Sequence, residues 1–391
     1  MPAPSPRLLR TASPAIPTAR RWAAAYRGGA GPALDLTQAV PGYPPHPELL
    51  ERLSDAAARP ANAGYGPIEG EAVLREALAA ELSRSYGAAI GPEDVAITAG
   101  CNLAFAMAAT VVAGSGEAVL LPTPWYFNHR MALEMAGIGA VPLPCRAAEG
   151  FLADPDLAAT LLDRHPEIRA IVLITPNNPA GAILSPERLE RFAELARERD
   201  VWLILDETYR DFLPEAGAAP HALFAAPDWR DRVVQLYSFS KSYCVPGHRL
   251  GAIVAGGAFR GELLKALDTF QICPGRAAQE AVAWAVPALR PWREANRRLM
   301  AQRAAAFRSI MASLPTWRVE AIGAYFAYLR IPDGLPGAEA VAERLAVEGG
   351  LMVLPGSFFG PEQERHLRVA FANAAEDALR VVPARLRAIG C

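Results

Sequence analysis

Lysine is almost missing from this chain. Of its 39 basic residues only Lys241 and Lys265 are lysine, and all the others are arginine. Arginine supplies charge but neither forms an imine nor gives up its proton near neutral pH. A lysine kept in the Ser-rich stretch SFSKSYCVPGHRLG, residues 238–251, is therefore a candidate for chemistry at its amine. Cysteine is also sparse: Cys101, Cys145, Cys244, Cys273 and Cys391 are scattered, odd in number and form no CxxC pair. That excludes a disulfide framework and points to a reduced, cytoplasmic setting. No His/Cys/Asp grouping has metal-ligand spacing, so no metal is expected. A net charge of −2 provides no basic footprint for nucleic acid. The uncharged run Val95 to Gly116 is broken by Gly100, Asn102 and Gly114, so it reads as strand, turn and buried helix rather than a membrane span. The first 34 residues contain no acid and have no apolar core for a secretory signal. The Pro-rich part, Pro2 to Pro17, is expected to be poorly ordered, with a short helix over Thr18 to Tyr26.

What the chain does have is a regular alternation. Short apolar runs at Val95–Thr98, Ala118–Leu121, Ile171–Ile174, Val201–Leu205, Val233–Tyr237 and Ala252–Ala255 are bounded by turn residues. Helical patterns such as Glu71–Tyr86 and Pro186–Arg199 stand between several of them. Buried strands alternating with helices predict an α/β fold, a mostly parallel central sheet covered by helices. Beyond Pro287 the pattern changes to a long helix over Trp292–Leu314, an alternating strand over Ala324–Ile331, a helix over Ala338–Gly349 and two more strands, Met352–Leu354 and Leu367–Ala372. This predicts a smaller α+β domain. The expected division is 1–47 as a tail and joining segment, 48–286 as the large domain and 287–391 as the small one.

In open parallel sheets ligands sit at the carboxyl ends of the strands. AGCN follows VAIT, PTPWYF follows AVLL, TPNNPAG follows IVLI, DETY follows VWLIL, and SFSK follows VVQLY. One sheet edge thus gathers Asn178, Asp206, Tyr209, Ser238 and Lys241, with Arg249 close behind. An amine makes an imine to a carbonyl. A buried carboxylate can pair with a pyridinium nitrogen, and a phenol and an amide can bond a phenolate oxygen. A hydroxyl, a guanidinium and helix N-terminal N–H groups at Gly100-Cys101-Asn102 can hold a phosphate. An aromatic at Trp125 or Tyr126 can cover a flat ring. Together these describe a pocket for pyridoxal phosphate.

With YGPIEGEAVLRE, TPNNPAG, DETY, SFSK, Arg249 and HLRVAFAN in this order, the chain resembles the class I/II aminotransferases, fold-type-I pyridoxal-phosphate enzymes, from about Leu36 to Asn373. The resemblance implies Lys241 as Schiff-base lysine and proton carrier, and Asp206 as partner of the pyridine nitrogen. It implies Asn178 and Tyr209 at the ring oxygen, and Ser238, Arg249, Cys101 and Asn102 as the phosphate cup. Tyr65 would reach the phosphate of a neighbouring subunit, making a homodimer with shared sites. Trp125 would stack on the ring, with the adjacent Tyr126 left open. Arg368 would clamp the substrate carboxylate as a forked pair. The chain departs from the family pattern at Ala39, where glycine is usual beside the substrate carboxylate, and at His248, where tryptophan is frequent.

The implied reaction is amino transfer between an L-α-amino acid and a 2-oxo acid by a ping-pong cycle. A carbon–sulfur β-lyase on the same scaffold is the alternative, since it would use the same Lys241, Asp206 and Arg368. The blander readings give Lys241 as a surface lysine, Asp206 as a cap and Asn178 as a turn residue. His129, His221 and His366 are expected to be structural or surface groups rather than ligands. Arg276 is a weak candidate for a second, side-chain-binding cation.

Overall fold

The computed structural model describes residues 2–214 and 219–390. The strands, in chain order, are β1 (Leu34–Asp35), β2 (Val95–Thr98), β3 (Ala118–Thr123), β4 (Gly139–Pro144), β5 (Ile168–Ile174), β6 (Trp202–Asp206), β7 (Val233–Ser238), β8 (Gly251–Val254), β9 (Arg318–Gly323), β10 (Phe326–Arg330), β11 (Leu351–Met352), β12 (Leu354–Pro355) and β13 (His366–Val369). Seven of them form one sheet in the order β2-β8-β7-β6-β5-β3-β4. All pairs are parallel except those of β8, which runs antiparallel to both β2 and β7. The reversal follows from chain length. Between β7 and β8 lie only residues 239–250, a short helix Phe239–Ser242 and a tight turn at Pro246–His248. That is too little chain for a crossover, which parallel neighbours require.

The central strands are buried on both faces, as their continuous Val/Ile/Leu runs demand. The covering helices are built by ordinary local rules. In the helix Pro186–Glu198, Ser185 accepts from Arg188 N at 3.3 Å as N-cap, and proline stands at the first helical position. Its Leu189, Phe192, Leu195 and Ala196 form one buried stripe against the sheet. Each such leucine or phenylalanine contributes roughly 1.5–3 kcal/mol on burial.

The second body of the fold is the antiparallel sheet β12-β13-β10-β9, packed by the long helix Arg290–Met311 and by the helix Ala338–Val347. β1 pairs in parallel with β11, tying the segment before the large sheet to the C-terminal part of the chain.

The Pro-rich start is not the loose tail that its composition suggests. Helices run over Pro6–Arg10 and Ala15–Ala23. Arg7 Nη2 donates to Ser115 Oγ at 3.1 Å. Ala15 and Ala19 are buried with Leu354 and Phe359. The prolines sit at a helix start or in linking turns, where a missing N–H costs nothing. Small residues at positions 15 and 19, one helical turn apart, allow close packing.

Candidate active site

The carboxyl ends of β2, β5, β6 and β7 open onto one cavity of about 240 Å³. Its wall includes Ala39, Cys101, Asn102, Tyr126, Asn178, Asp206, Tyr209, Ser238, Lys241, Arg249 and Arg368. Residues separated by more than three hundred positions in the chain therefore meet at one point. Of the residues singled out from sequence, Trp125 and Tyr65 do not line this cavity. Trp125 faces a second cavity next to it, and Tyr126 takes the inner position. Which of the two adjacent aromatics points inward depends on the turn after β3, which the pattern PTPWYF does not encode. Tyr65 is 82% exposed in the single chain.

Lys241 sits in the short helix that β7 runs into, and its Nζ donates to the Ala39 carbonyl at 2.6 Å. Burial, then the charges of Arg249 and Arg368, push its amine down to about 8. It is thus far closer to a free base at neutral pH than an ordinary lysine. The departure at Ala39 leaves its backbone carbonyl in use, because the bond to Lys241 needs no side chain there. His248 lies exposed on the turn before Arg249, and nothing in the structure explains it.

Asp206 ends β6 and is 5% exposed. Burial works to raise its pKa. The hydrogen bond and charge of His129, with bonds from Thr208, outweigh burial and hold it below the ordinary carboxylate value. His129 Nε2 stands 3.2 Å from Asp206 Oδ2, and Thr208 N donates to Oδ1 at 2.9 Å. The Cys101 thiol lies 3.9 Å from Oδ1 and accepts from Thr208 Oγ1 at 3.3 Å. An ionised carboxylate at the floor of a cavity is what a ring N–H cation requires. Sequence reading placed His129 among structural groups. Its partner could not be seen because Asp206 is 77 residues away.

Burial, with the neighbouring Tyr126, holds the Tyr209 phenol well above its usual pKa, so it stays a neutral donor. Asn178 Oδ1 accepts from Arg368 Nη1 at 3.0 Å. Arg368 Nη2 also donates to the Thr37 carbonyl, while Nε has no partner among the described residues. Burial lowers this guanidinium to about 10, yet it remains charged at neutral pH. A desolvated, incompletely bonded arginine is primed for a carboxylate.

The end of the cavity next to β2 is built largely from backbone. Gly100 adopts φ +88° ahead of the helix Cys101–Val112, and its carbonyl accepts from Ala104 N at 3.2 Å. The N–H groups of the first turn have no acceptor within the helix and face the cavity with a positive dipole. A Cβ on Gly100 would come within 2.1 Å of Arg249 Nη2, so the missing side chain is what admits the guanidinium. Arg249 itself is held at φ +52°. Ser238 caps the Lys241 helix by accepting from Ser240 N at 3.3 Å. These groups fit pyridoxal phosphate: a reactive amine, an anionic ring partner, neutral donors for the ring oxygen and an anion cradle. Ile16, Phe127 and Thr208 also line the site and were not singled out from sequence.

Fold and site together define a fold-type-I pyridoxal-phosphate enzyme. The family model of aminotransferase class I and II matches residues 32–386, and the chain belongs to that family. It is similar to an arginine–pyruvate transaminase of Pseudomonas aeruginosa, 31% identical over 81% of this chain and 79% of that protein. It is also similar to an aromatic aminotransferase of Arabidopsis thaliana, 28% identical over 90% of this chain and 89% of the relative. Among solved structures, a single mutant of Thermus thermophilus aspartate aminotransferase superposes with a TM-score of 0.90, 26% identity and full coverage of both chains. The protein is a pyridoxal-phosphate-dependent aminotransferase.

Proposed function

We propose that the cavity carries out the amino transfer by a ping-pong cycle between an L-α-amino acid and a 2-oxo acid, with each residue in the role its chemistry suits. The observation that carries this reading is the Lys241 amine, depressed to about 8 and lying in one cavity with ionised Asp206 and buried Arg368. When bound, the cofactor supplies an electron sink for the carbanion left at the donor's Cα. Arg368, with Asn178 beside it, orients the donor by its carboxylate. Lys241 would hold the cofactor through its amine, and its Nζ would be the base that takes the donor's Cα proton. Asp206 would pair with the ring nitrogen of the cofactor, and Tyr209 and Asn178 would bond its ring oxygen. Ser238, Arg249 and the N–H groups of Cys101 and Asn102 hold the phosphate. Tyr126 covers the ring.

The active form is a homodimer on this reading. Tyr65, Phe270 at 64% and Ile272 at 49% are exposed, and Gly66 N donates to Cys273 Sγ at 3.3 Å, which puts the Tyr65 and Ile272 loops side by side. Such an apolar patch suits a second copy, with Tyr65 reaching the partner's phosphate. Arg276 is engaged by Glu71 at 2.6 Å within the chain, which argues against its use as a second substrate-binding cation. A large and a small domain are supported by the separate cores on the two sheets, although the proposed cut at 287 falls inside the helix Arg276–Ala288. No described helix is long and apolar enough to cross a membrane. A cytoplasmic location agrees with four unpaired cysteines among the described residues.

The test is a half-reaction. The cofactor-loaded protein is mixed with one L-amino acid and no oxo acid. The absorption band of the lysine-bound cofactor should be lost once, stoichiometrically, with no ammonia released. Lys241→Ala should bind cofactor without the covalent band and show no turnover. A band that persists while ammonia and pyruvate accumulate from a thiol-bearing donor would identify a β-lyase instead.

A further inference from the structure

Beside the cofactor cavity lies a second one of about 430 Å³, lined in part by Ala12, Trp125, Phe127, Met131, Ser357 and Phe358. The two share a wall. Phe127 lines both, and the consecutive residues Ala15 and Ile16 face one each. The aromatic lining is fixed in place. Trp125 N donates to the Phe359 carbonyl at 2.8 Å, and Phe127 packs on Phe359 with ring centroids 5.6 Å apart. Gly360 has φ +126°, and a Cβ there would lie 3.3 Å from Trp125 Cε2, so the glycine allows the indole to lie against the backbone.

The charges in this lining cancel. Arg130 donates to Glu134 at 3.1 Å, and Arg10 and Glu364 add one charge of each sign. An ionic side chain would find no net counter-charge, and its desolvation would go uncompensated. Flat apolar surface is what the walls offer.

Resting on the transaminase reading above, we propose that this second cavity is the outer part of the substrate site. It receives the aryl side chain of an aromatic L-amino acid, tyrosine- or tryptophan-like, which passes Phe127 and Ile16 while the α-carboxylate stays on Arg368. Small donors such as L-alanine stay within the inner cavity and do not touch it.

The experiment fills the outer cavity from two sides. Met131→Trp acts from the helix that follows Trp125, and the exposed Ala12→Trp acts from the N-terminal segment, where a larger residue threatens folding least. Band loss in single turnover is measured with L-tryptophan, L-tyrosine and L-alanine. Both variants should lower the second-order rate constant for the aromatic donors by about tenfold or more, while that for L-alanine stays within about twofold. Equal losses for all donors, or no loss for the aromatic ones, would overturn the proposal. If no amino acid bleaches the band in the unmodified protein, the transaminase reading itself fails and this inference falls with it.

Discussion

His129 Nε2 and Asp206 Oδ2 stand 3.2 Å apart, with the His129 ring stacked on Phe105 at a centroid distance of 3.8 Å. Both side chains are buried, and the imidazole bond is the largest influence holding Asp206 ionised against its own desolvation. Removing it in His129→Leu leaves only the Thr208 bonds to oppose burial, so the Asp206 pKa rises. The acid limb of the kcat/KM profile should then move to higher pH. Losing a charge-assisted bond of roughly 1.5–3 kcal/mol predicts a fall of about ten- to a hundredfold at neutral pH. A profile that superimposes on the parent's would show that Asp206 does not depend on this histidine.

Arg368 meets Asn178 Oδ1 and the Thr37 carbonyl through its two Nη atoms. Lysine carries the charge but cannot present a planar fork to a carboxylate. Arg368→Lys is therefore expected to lower kcat/KM by about a hundredfold for every amino acid donor, whatever its side chain. The absorption band of the bound cofactor should not change. A loss confined to donors of one side-chain type would place Arg368 at the side-chain end of the site.

Much of this site was legible because its chemistry stands at strand ends. Asn178, Asp206, Ser238 and Lys241 follow apolar runs that cannot be anything but buried strands, and the fold brings such ends together. What could not be read were relations across the fold. The contact of His129 with Asp206, the closeness of Gly100 to Arg249 and the inward turn of Tyr126 rather than Trp125 depend on packing. The helix expected over Thr18–Tyr26 is present as Ala15–Ala23, but the order of the Pro-rich stretch before it was not legible, for a different reason. Proline and arginine mark disorder by composition, yet the buried Ala15 and Ala19 carry almost no hydrophobic signal. The strand β8 was expected, but its antiparallel direction was not legible because a buried strand has the same apolar run in either direction.

Gly100 tests the phosphate cradle without touching charge. At φ +88° and ψ 165° an alanine costs about 1–3 kcal/mol of backbone strain, and its Cβ would displace the Arg249 guanidinium. The displaced group is the end of a flexible side chain, so the fold should survive. Gly100→Ala is expected to weaken cofactor binding by about tenfold or more, measured by titrating cofactor into the stripped protein. It should lower the melting temperature of the stripped protein by only a few degrees. Unchanged affinity would remove Arg249 from the phosphate site.

Glu81 links the helix Ala72–Tyr86 to the start of the long helix Arg290–Met311. It is 2% exposed and accepts from Arg84 at 2.8 Å, Arg290 at 2.7 Å and Arg293 at 2.6 Å, and Arg293 goes on to Asp211 at 3.3 Å. Burial alone would raise its pKa, but the three guanidinium groups together bring it down from 4.5 to about 2. A carboxylate lowered in the folded state stabilises it above the unfolded pKa, and that stability is lost as pH falls through the folded one. The shift corresponds to something on the order of 3 kcal/mol, comparable to the cost of leaving a buried cation unpaired. Glu81→Gln should therefore be less stable than the parent by about that much at pH 7, with more than half of the gap gone by about pH 3. Urea midpoints of the two proteins across this range decide the matter. A gap that stays constant with pH would mean that Glu81 contributes by shape and hydrogen bonding rather than by its charge.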